Sequence, residues 1–150
     1  MTTKRVREAV ALYSRGYNCS MAIFSAYAPA LGLDAETAAR IGSPFGAGIA
    51  KTGEICGAVS GALMVIGLTQ RVEDIRDPPS RERVYALAGK FVEEFRARNQ
   101  SVNCTDLIGY DLSDPEQFAE AREKKLFATT CVKLVKDAGE ILDGIMQEHS

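Results

Sequence analysis

The sequence predicts an all-α protein, a compact multi-helix bundle of roughly six to eight helices, organised as one domain over residues 1–150. Three observations carry this expectation. Apolar residues recur at spacings of three and four along most of the chain. Residue types that cap helices stand just ahead of those periodic runs. No run of useful length alternates apolar with polar residues, as a half-buried strand would. A chain of 150 residues can bury about two-thirds of its unfolded surface, so it needs no disulfide to fold.

The elements follow in order. Val6, Ala9, Val10 and Tyr13 form the stripe of a first helix, with Gly16 as its stop. Asn18 caps a second helix from Cys19 to about Leu31, and Asp34 opens a short third one that ends at Gly42. "SPFGAGIAKTGE" is the longest glycine-rich loop. A fourth helix begins near Thr52 and runs to Leu68. "VEDIRDPPS" is a connection with two prolines, after which Ser80 caps a long helix with Val84, Leu87, Ala88, Phe91, Val92 and Phe95 on its apolar face. "SVNCTDLIGYDLSD" holds a short helical turn within a loop. Ser113 with Asp114, Pro115 and Glu116 starts another helix. The last helix turns Val132, Leu134, Val135, Ala138, Ile141, Leu142 and Ile145 inward.

Charge and composition exclude several classes. The net charge of −2, with signs interleaved, favours neither nucleic acid nor an anionic membrane. The run from Ile55 to Leu68 is broken by Gly57, Ser60, Gly61 and Gly67 and is too short to insert in a bilayer. The N-terminal stretch reads as an amphipathic helix, not a signal peptide, which points to the cytoplasm. Gly46-Ala47-Gly48 follows no strand and is not a dinucleotide loop. His149 reads as a solvated tail residue. Glu93 with Glu94, and Glu73 with Asp74, read as solvated faces. No serine triad or acid/base pair stands out, and no enzyme class is indicated.

The chemistry lies in four cysteines, Cys19, Cys56, Cys104 and Cys131. None forms a C-x-x-C, which argues against a zinc ribbon and against a thioredoxin-like motif. Each stands near an expected helix start: Cys19 after Asn18, Cys56 shortly after Thr52 and Gly53, Cys104 after Asn103, Cys131 after Thr129 and Thr130. Free N–H groups and the helix dipole favour a thiolate there, and the thiolate is both nucleophile and metal ligand. Asn18 and Asn103 are candidates for donating to the sulfurs, a role their capping would explain equally well. Gly53 is expected to turn the chain into the fourth helix. Gly57 and Gly61 are expected to let neighbouring helix ends approach Cys56, so these three glycines form the expected cofactor-binding backbone.

The stretches "GYNCSMAIFSAYAPALGL", "PFGAGIAKTGEICGAVSGALMVIGL", "NCTDLIGYDL" and "CVKLVKDAGEIL" together resemble the C_GCAxxG_C_C family of redox-active proteins. The central motif reads Cys56-Gly57-Ala58-Val59-Ser60-Gly61, and Cys19, Cys104 and Cys131 match the other cysteines. The resemblance implies a redox or metal role and names no substrate. Without C-x-x-C-H, covalent c-type haem is not implied.

Three functions are therefore expected to compete. The four sulfurs converge to bind an iron–sulfur cluster or another metal such as zinc. Alternatively, one or two cysteine pairs exchange thiol and disulfide with a redox partner protein. In the third case the chain is a structural or interaction protein with inert buried cysteines. Helices this rich in small residues also suit pairing into a homodimer.

Overall fold

The computed structural model describes residues 3–70 and 76–148. His149, Glu73, Asp74 and much of the proline-containing connection lie outside the described residues. Eight right-handed α-helices are described: α1 (Lys4–Ser14), α2 (Cys19–Tyr27), α3 (Ala35–Gly42), α4 (Gly57–Thr69), α5 (Pro78–Asn99), α6 (Cys104–Ile108), α7 (Pro115–Glu123) and α8 (Thr130–Glu148). No strand is formed among the described residues, so the all-α expectation is met.

Most helix starts follow their sequence signals. Asn18 Oδ1 accepts from the Met21 N–H at 3.0 Å, and Asp34 accepts from the Thr37 N–H at 2.9 Å. The second helix changes to 3-10 geometry over Ala28–Leu31, where Pro29 lacks an N–H to continue the α ladder. Two starts move. α5 is capped by Asp77, whose carboxylate accepts from the Ser80 N–H, while Ser80 itself lies inside the first turn. The prolines at 78 and 79 fit the first turn because its N–H groups have no partner anyway. Likewise α7 is capped by Asp114 rather than Ser113.

The fourth helix starts later than Thr52. Residues before Gly57 run extended, and Ile55 forms an isolated antiparallel bridge with Asn103. The Cys56 N–H donates to the Val102 carbonyl at 2.8 Å, and the Cys104 N–H donates to the Glu54 carbonyl at 2.7 Å. Two cysteines far apart in sequence are thereby tied through their own backbones.

The glycine-rich loop is a constrained strap. Ser43–Phe45 makes a 3-10 turn, and Gly46–Ile49 follows as a short turn with left-handed backbone inside it. Ala47, Gly48, Ile49, Ala50 and Lys51 all have positive φ, between 52° and 69°. Left-handed backbone costs about 1–2 kcal/mol per non-glycine residue. The strap is held by its ends: the Ala50 N–H donates to the Pro44 carbonyl at 2.9 Å and the Glu54 N–H to the Gly48 carbonyl at 2.8 Å.

Helix α2 lies at the centre, packed by α1, α3, α4 and α8. It is buried nearly all round, including Ile23, Phe24 and Tyr27, as its apolar composition requires. The α2–α4 approach depends on absent side chains. A Cβ on Gly61 would stand 2.9 Å from the Ser20 carbonyl oxygen and 3.2 Å from Ile23 Cβ. One on Gly57 would stand 3.0 Å from the Phe45 carbonyl oxygen and 3.2 Å from Cys19 Cβ. Helix α5 seals the far side with Phe91 and Phe95, whose rings stack at 6.1 Å. Beneath the strap a second apolar cluster joins Ile108, Leu112 and Ala121 to Cys104 and Cys131. No helix among the described residues is long and apolar enough to cross a membrane.

Candidate redox site

Each cysteine stands at the head of a helix. Cys19 is the first residue of α2, Cys56 the N-cap of α4, Cys104 the first residue of α6 and Cys131 the second residue of α8. All four line one cavity of about 750 Å³. All four are free thiols. Cys56, Cys104 and Cys131 are only 3–5% exposed, while Cys19 is half-buried.

Three of the thiols act on one another. Interaction with Cys131, then with Cys56, and then burial hold the Cys19 proton firmly. The same interactions act in reverse on its neighbours. Donation from Cys19 favours the Cys56 thiolate against the cost of burial, and the Ala58 and Val59 amides at the head of α4 add to it. Neither amide makes a hydrogen bond of normal cap geometry to the sulfur, so their effect is that of nearby dipoles. Cys131 is also shifted towards thiolate, first by Cys19 and then, against burial, by the Tyr13 hydroxyl. That hydroxyl has one proton and donates it to the Phe127 carbonyl at 2.7 Å, so its help to Cys131 requires a rotation about the C–O bond. Cys104 goes the other way: burial, then the neighbouring Cys56 and Cys131 sulfurs, push its thiol up to about 12.

The helix heads do not act alike: Cys56 and Cys131 are shifted towards the anion, Cys19 and Cys104 away from it. A helix N-terminus favours the anion, yet at Cys104 desolvation is the larger effect, and at Cys19 the interaction of its one proton with Cys131 or Cys56 decides. The asparagines act on the backbone. Asn18 uses both ends of its amide, capping α2 and donating to the Ser43 carbonyl at 2.9 Å. Asn103 caps α6 with no side-chain hydrogen bond. Of the three glycines, Gly57 lies on the cavity wall. Gly61 sits against α2, and Gly53, at φ 76°, sits against Thr105, where a Cβ would fall 2.0 Å from the hydroxyl oxygen. They act by admitting neighbouring backbone.

The wall has further members that no local pattern singles out. Tyr13 reads as part of the α1 apolar stripe, and Phe118 and Phe127 stand in no motif, yet all three border the cavity. Lys51 borders it too, with its ammonium 4.6 Å from the centre of the Phe118 ring. Gly48 lets the strap close down on Cys104: a Cβ there would stand 2.6 Å from Cys104 Cβ. No aspartate or glutamate is among the lining residues.

Four sulfur donors are the right chemistry for an iron–sulfur cluster or for zinc. Among the described residues, however, no group of three or more Cys, His, Asp or Glu side chains is arranged to hold a metal ion. That arrangement does not fit a single tetrahedral zinc, whose four sulfurs must all approach one centre to about 2.3 Å. A cluster spreads its ligands over more than one iron, and the donor set suits it.

Fold and site together define an all-α protein built around a buried multi-cysteine centre. The family model described as "Putative redox-active protein (C_GCAxxG_C_C)" matches residues 17–145, a span that contains all four cysteines. The chain belongs to this family. It is 32% identical over 146 residues to an uncharacterized protein of Archaeoglobus fulgidus, covering 92% of this chain and 90% of that protein. No solved structure matches the chain significantly.

Proposed function

We propose that this protein carries out its redox chemistry as a dithiol/disulfide centre, with Cys19 as the shared partner of Cys56 and Cys131. The carrying observation is that Cys19, Cys56 and Cys131 are free thiols at three helix heads lining one cavity, and Cys19 acts on the protonation of the other two. A thiolate beside a protonated thiol is the starting arrangement for disulfide exchange. Cys56 or Cys131 supplies the nucleophile, and Cys19, on losing its proton, resolves the mixed disulfide. Burial keeps bulk water and stray oxidants from Cys56, Cys104 and Cys131.

A second reading is supported by Cys104. A single pair needs two sulfurs, and the cavity holds four. An iron–sulfur cluster held by Cys19, Cys56, Cys104 and Cys131 would use them all and would pass single electrons. Its residues would then serve to hold and shield: the strap through Gly48 covers Cys104, and the bridge at Ile55 keeps Cys56 and Cys104 in register.

One preparation separates the readings. Protein purified without oxygen is analysed for iron, zinc and visible absorption, then oxidised with diamide and mapped by peptide mass spectrometry. The dithiol reading expects metal-free, colourless protein and a reversible disulfide joining Cys19 to Cys56 or Cys131, absent in Cys19→Ser. A brown protein with stoichiometric iron establishes the cluster instead. Four thiols that stay reduced in metal-free protein would sink both.

A further inference from the structure

We infer that the cavity is a binding site for a small organic anion that carries a disulfide, and that Lys51 on the strap selects it. This inference rests on the dithiol reading. Three of the four sulfurs are only 3–5% exposed, so a cystine on the surface of another folded protein has poor access to them. The cavity, by contrast, has about 750 Å³, within the range of small-molecule sites, about 300–1,000 Å³. Its walls divide in the manner of such sites. Phe118, Phe127 and Leu112 give apolar surface, and Tyr17 and Asn18 give polar groups.

Charge decides the class of ligand. Lys51 is the one cationic residue among those lining the cavity, and no carboxylate opposes it there. Its backbone has φ 69°, inside the left-handed strap, and its ammonium rests on the Phe118 ring. Arg122 stands over the same ring at 5.2 Å, adding positive charge behind the rim. A ligand with a carboxylate meets attraction from the exposed Lys51 ammonium and no carboxylate among the lining residues, the anions there being the buried cysteine thiolates; a cationic ligand meets repulsion at Lys51.

The step balances on the groups named. The Cys56 thiolate attacks one sulfur of the ligand disulfide R–S–S–R. A Cys56–S bond forms, the ligand S–S bond breaks, and the first RS⁻ leaves and takes a proton from water. Cys19 gives its proton to water, returning the one the first RS⁻ took, and its sulfur attacks Cys56 Sγ. The Cys19–Cys56 disulfide forms, and the second RS⁻ leaves and takes a proton from water. Two electrons pass from the protein dithiol to the ligand, which departs as two thiols.

The test uses the full-length reduced protein in a single turnover against three disulfides of matched length: dithiodipropionate (anionic), hydroxyethyl disulfide (neutral) and cystamine (cationic). Thiol release is timed and the products are mapped. The anion is expected to react roughly tenfold faster than the neutral compound and the cation slower still, with the gap shrinking in high salt. Lys51→Gln is expected to slow the anion about tenfold, and Lys51→Arg to restore it. Equal rates for the three, or cystamine fastest, would overturn the inference. Suberate, the unreactive dicarboxylate of the same length, separates this from failure of the dithiol reading. If no disulfide reacts while diamide still forms the Cys19 disulfide, the disulfide part of this inference falls and the dithiol reading stands; if diamide forms none either, both fall. Suberate binding that is lost in Lys51→Gln still supports the anion site, and no suberate binding removes it.

Discussion

At the scale of single residues, the site is made by what glycine omits and by which thiol keeps its proton. Gly61 and Gly67 lie in the same helix, yet their substitutions are expected to have opposite signs. Gly61→Ala adds a methyl 2.9 Å from a backbone carbonyl oxygen of α2, a collision that only helix movement relieves. Overpacking of that kind costs about 1–3 kcal/mol and outweighs the helix-propensity gain of about 1 kcal/mol. At Gly67 nothing lies within 4 Å of the added methyl, so Gly67→Ala is expected to stabilise by about 0.5–1 kcal/mol. Urea unfolding of the two variants beside the parent checks both signs. The cysteines are expected to divide under alkylation at neutral pH. Cys56, shifted towards thiolate, should label ahead of Cys104, whose thiol at about 12 stays protonated. Labelling of Cys104 first, followed by mass mapping in a timed series, would contradict this order. The cysteines and the spacing of Gly57 and Gly61 were legible because the motif is dense and the residues are special in kind. Tyr13 and Lys51 were not, because a tyrosine in an apolar stripe and a lysine in a loop have no local pattern that points into a cavity.

At the scale of elements, the chain's helices were largely readable and its irregular segments were not. Asn18 and Asp34 cap where a side-chain oxygen three residues ahead of a free N–H should cap. Ser80 misled because Asp77, ahead of two prolines, is an equally good cap with a first turn suited to it. Asp77→Ala is accordingly expected to cost about 1 kcal/mol, measured by thermal or urea unfolding, and Ser80→Ala less. The strap had no signature at all. Four of its five left-handed residues carry side chains, and Ile49, at φ 67° and 39% exposed, is β-branched. Nothing in local propensity favours such a conformation; tertiary packing at Gly46 and Gly48 imposes it. Ile49→Asn, which tolerates that backbone and gives up little burial, is expected to stabilise the protein by about 1 kcal/mol. A loss of stability on substitution would mean that the isoleucine side chain matters more than its backbone. The Ile55–Asn103 bridge escaped sequence reading for a related reason: one bridged pair is too short to leave an alternating pattern.

At the scale of the whole molecule, buried acids of high pKa make stability depend on pH in the alkaline range. The Cys104 thiol is raised to about 12 in the folded protein, against about 8.5 for a free cysteine. Its contribution is fully present below the unfolded value and is lost as the pH rises towards the folded one. Tyr27, held well above its ordinary range by burial and by the Asp143 carboxylate, adds the same sign at higher pH. Unfolding free energy is therefore expected to fall between about pH 8.5 and 12, and less steeply in Cys104→Ala. Urea titrations of the reduced protein at a series of pH values check this. The four sulfurs reach their cavity from helix heads spread between residue 19 and residue 131. A growing polypeptide therefore cannot possess the centre until its closing helix has been made and docked. If the dithiol reading holds, a Cys19–Cys131 disulfide would record that the closing helix had docked, while a Cys19–Cys56 disulfide would not.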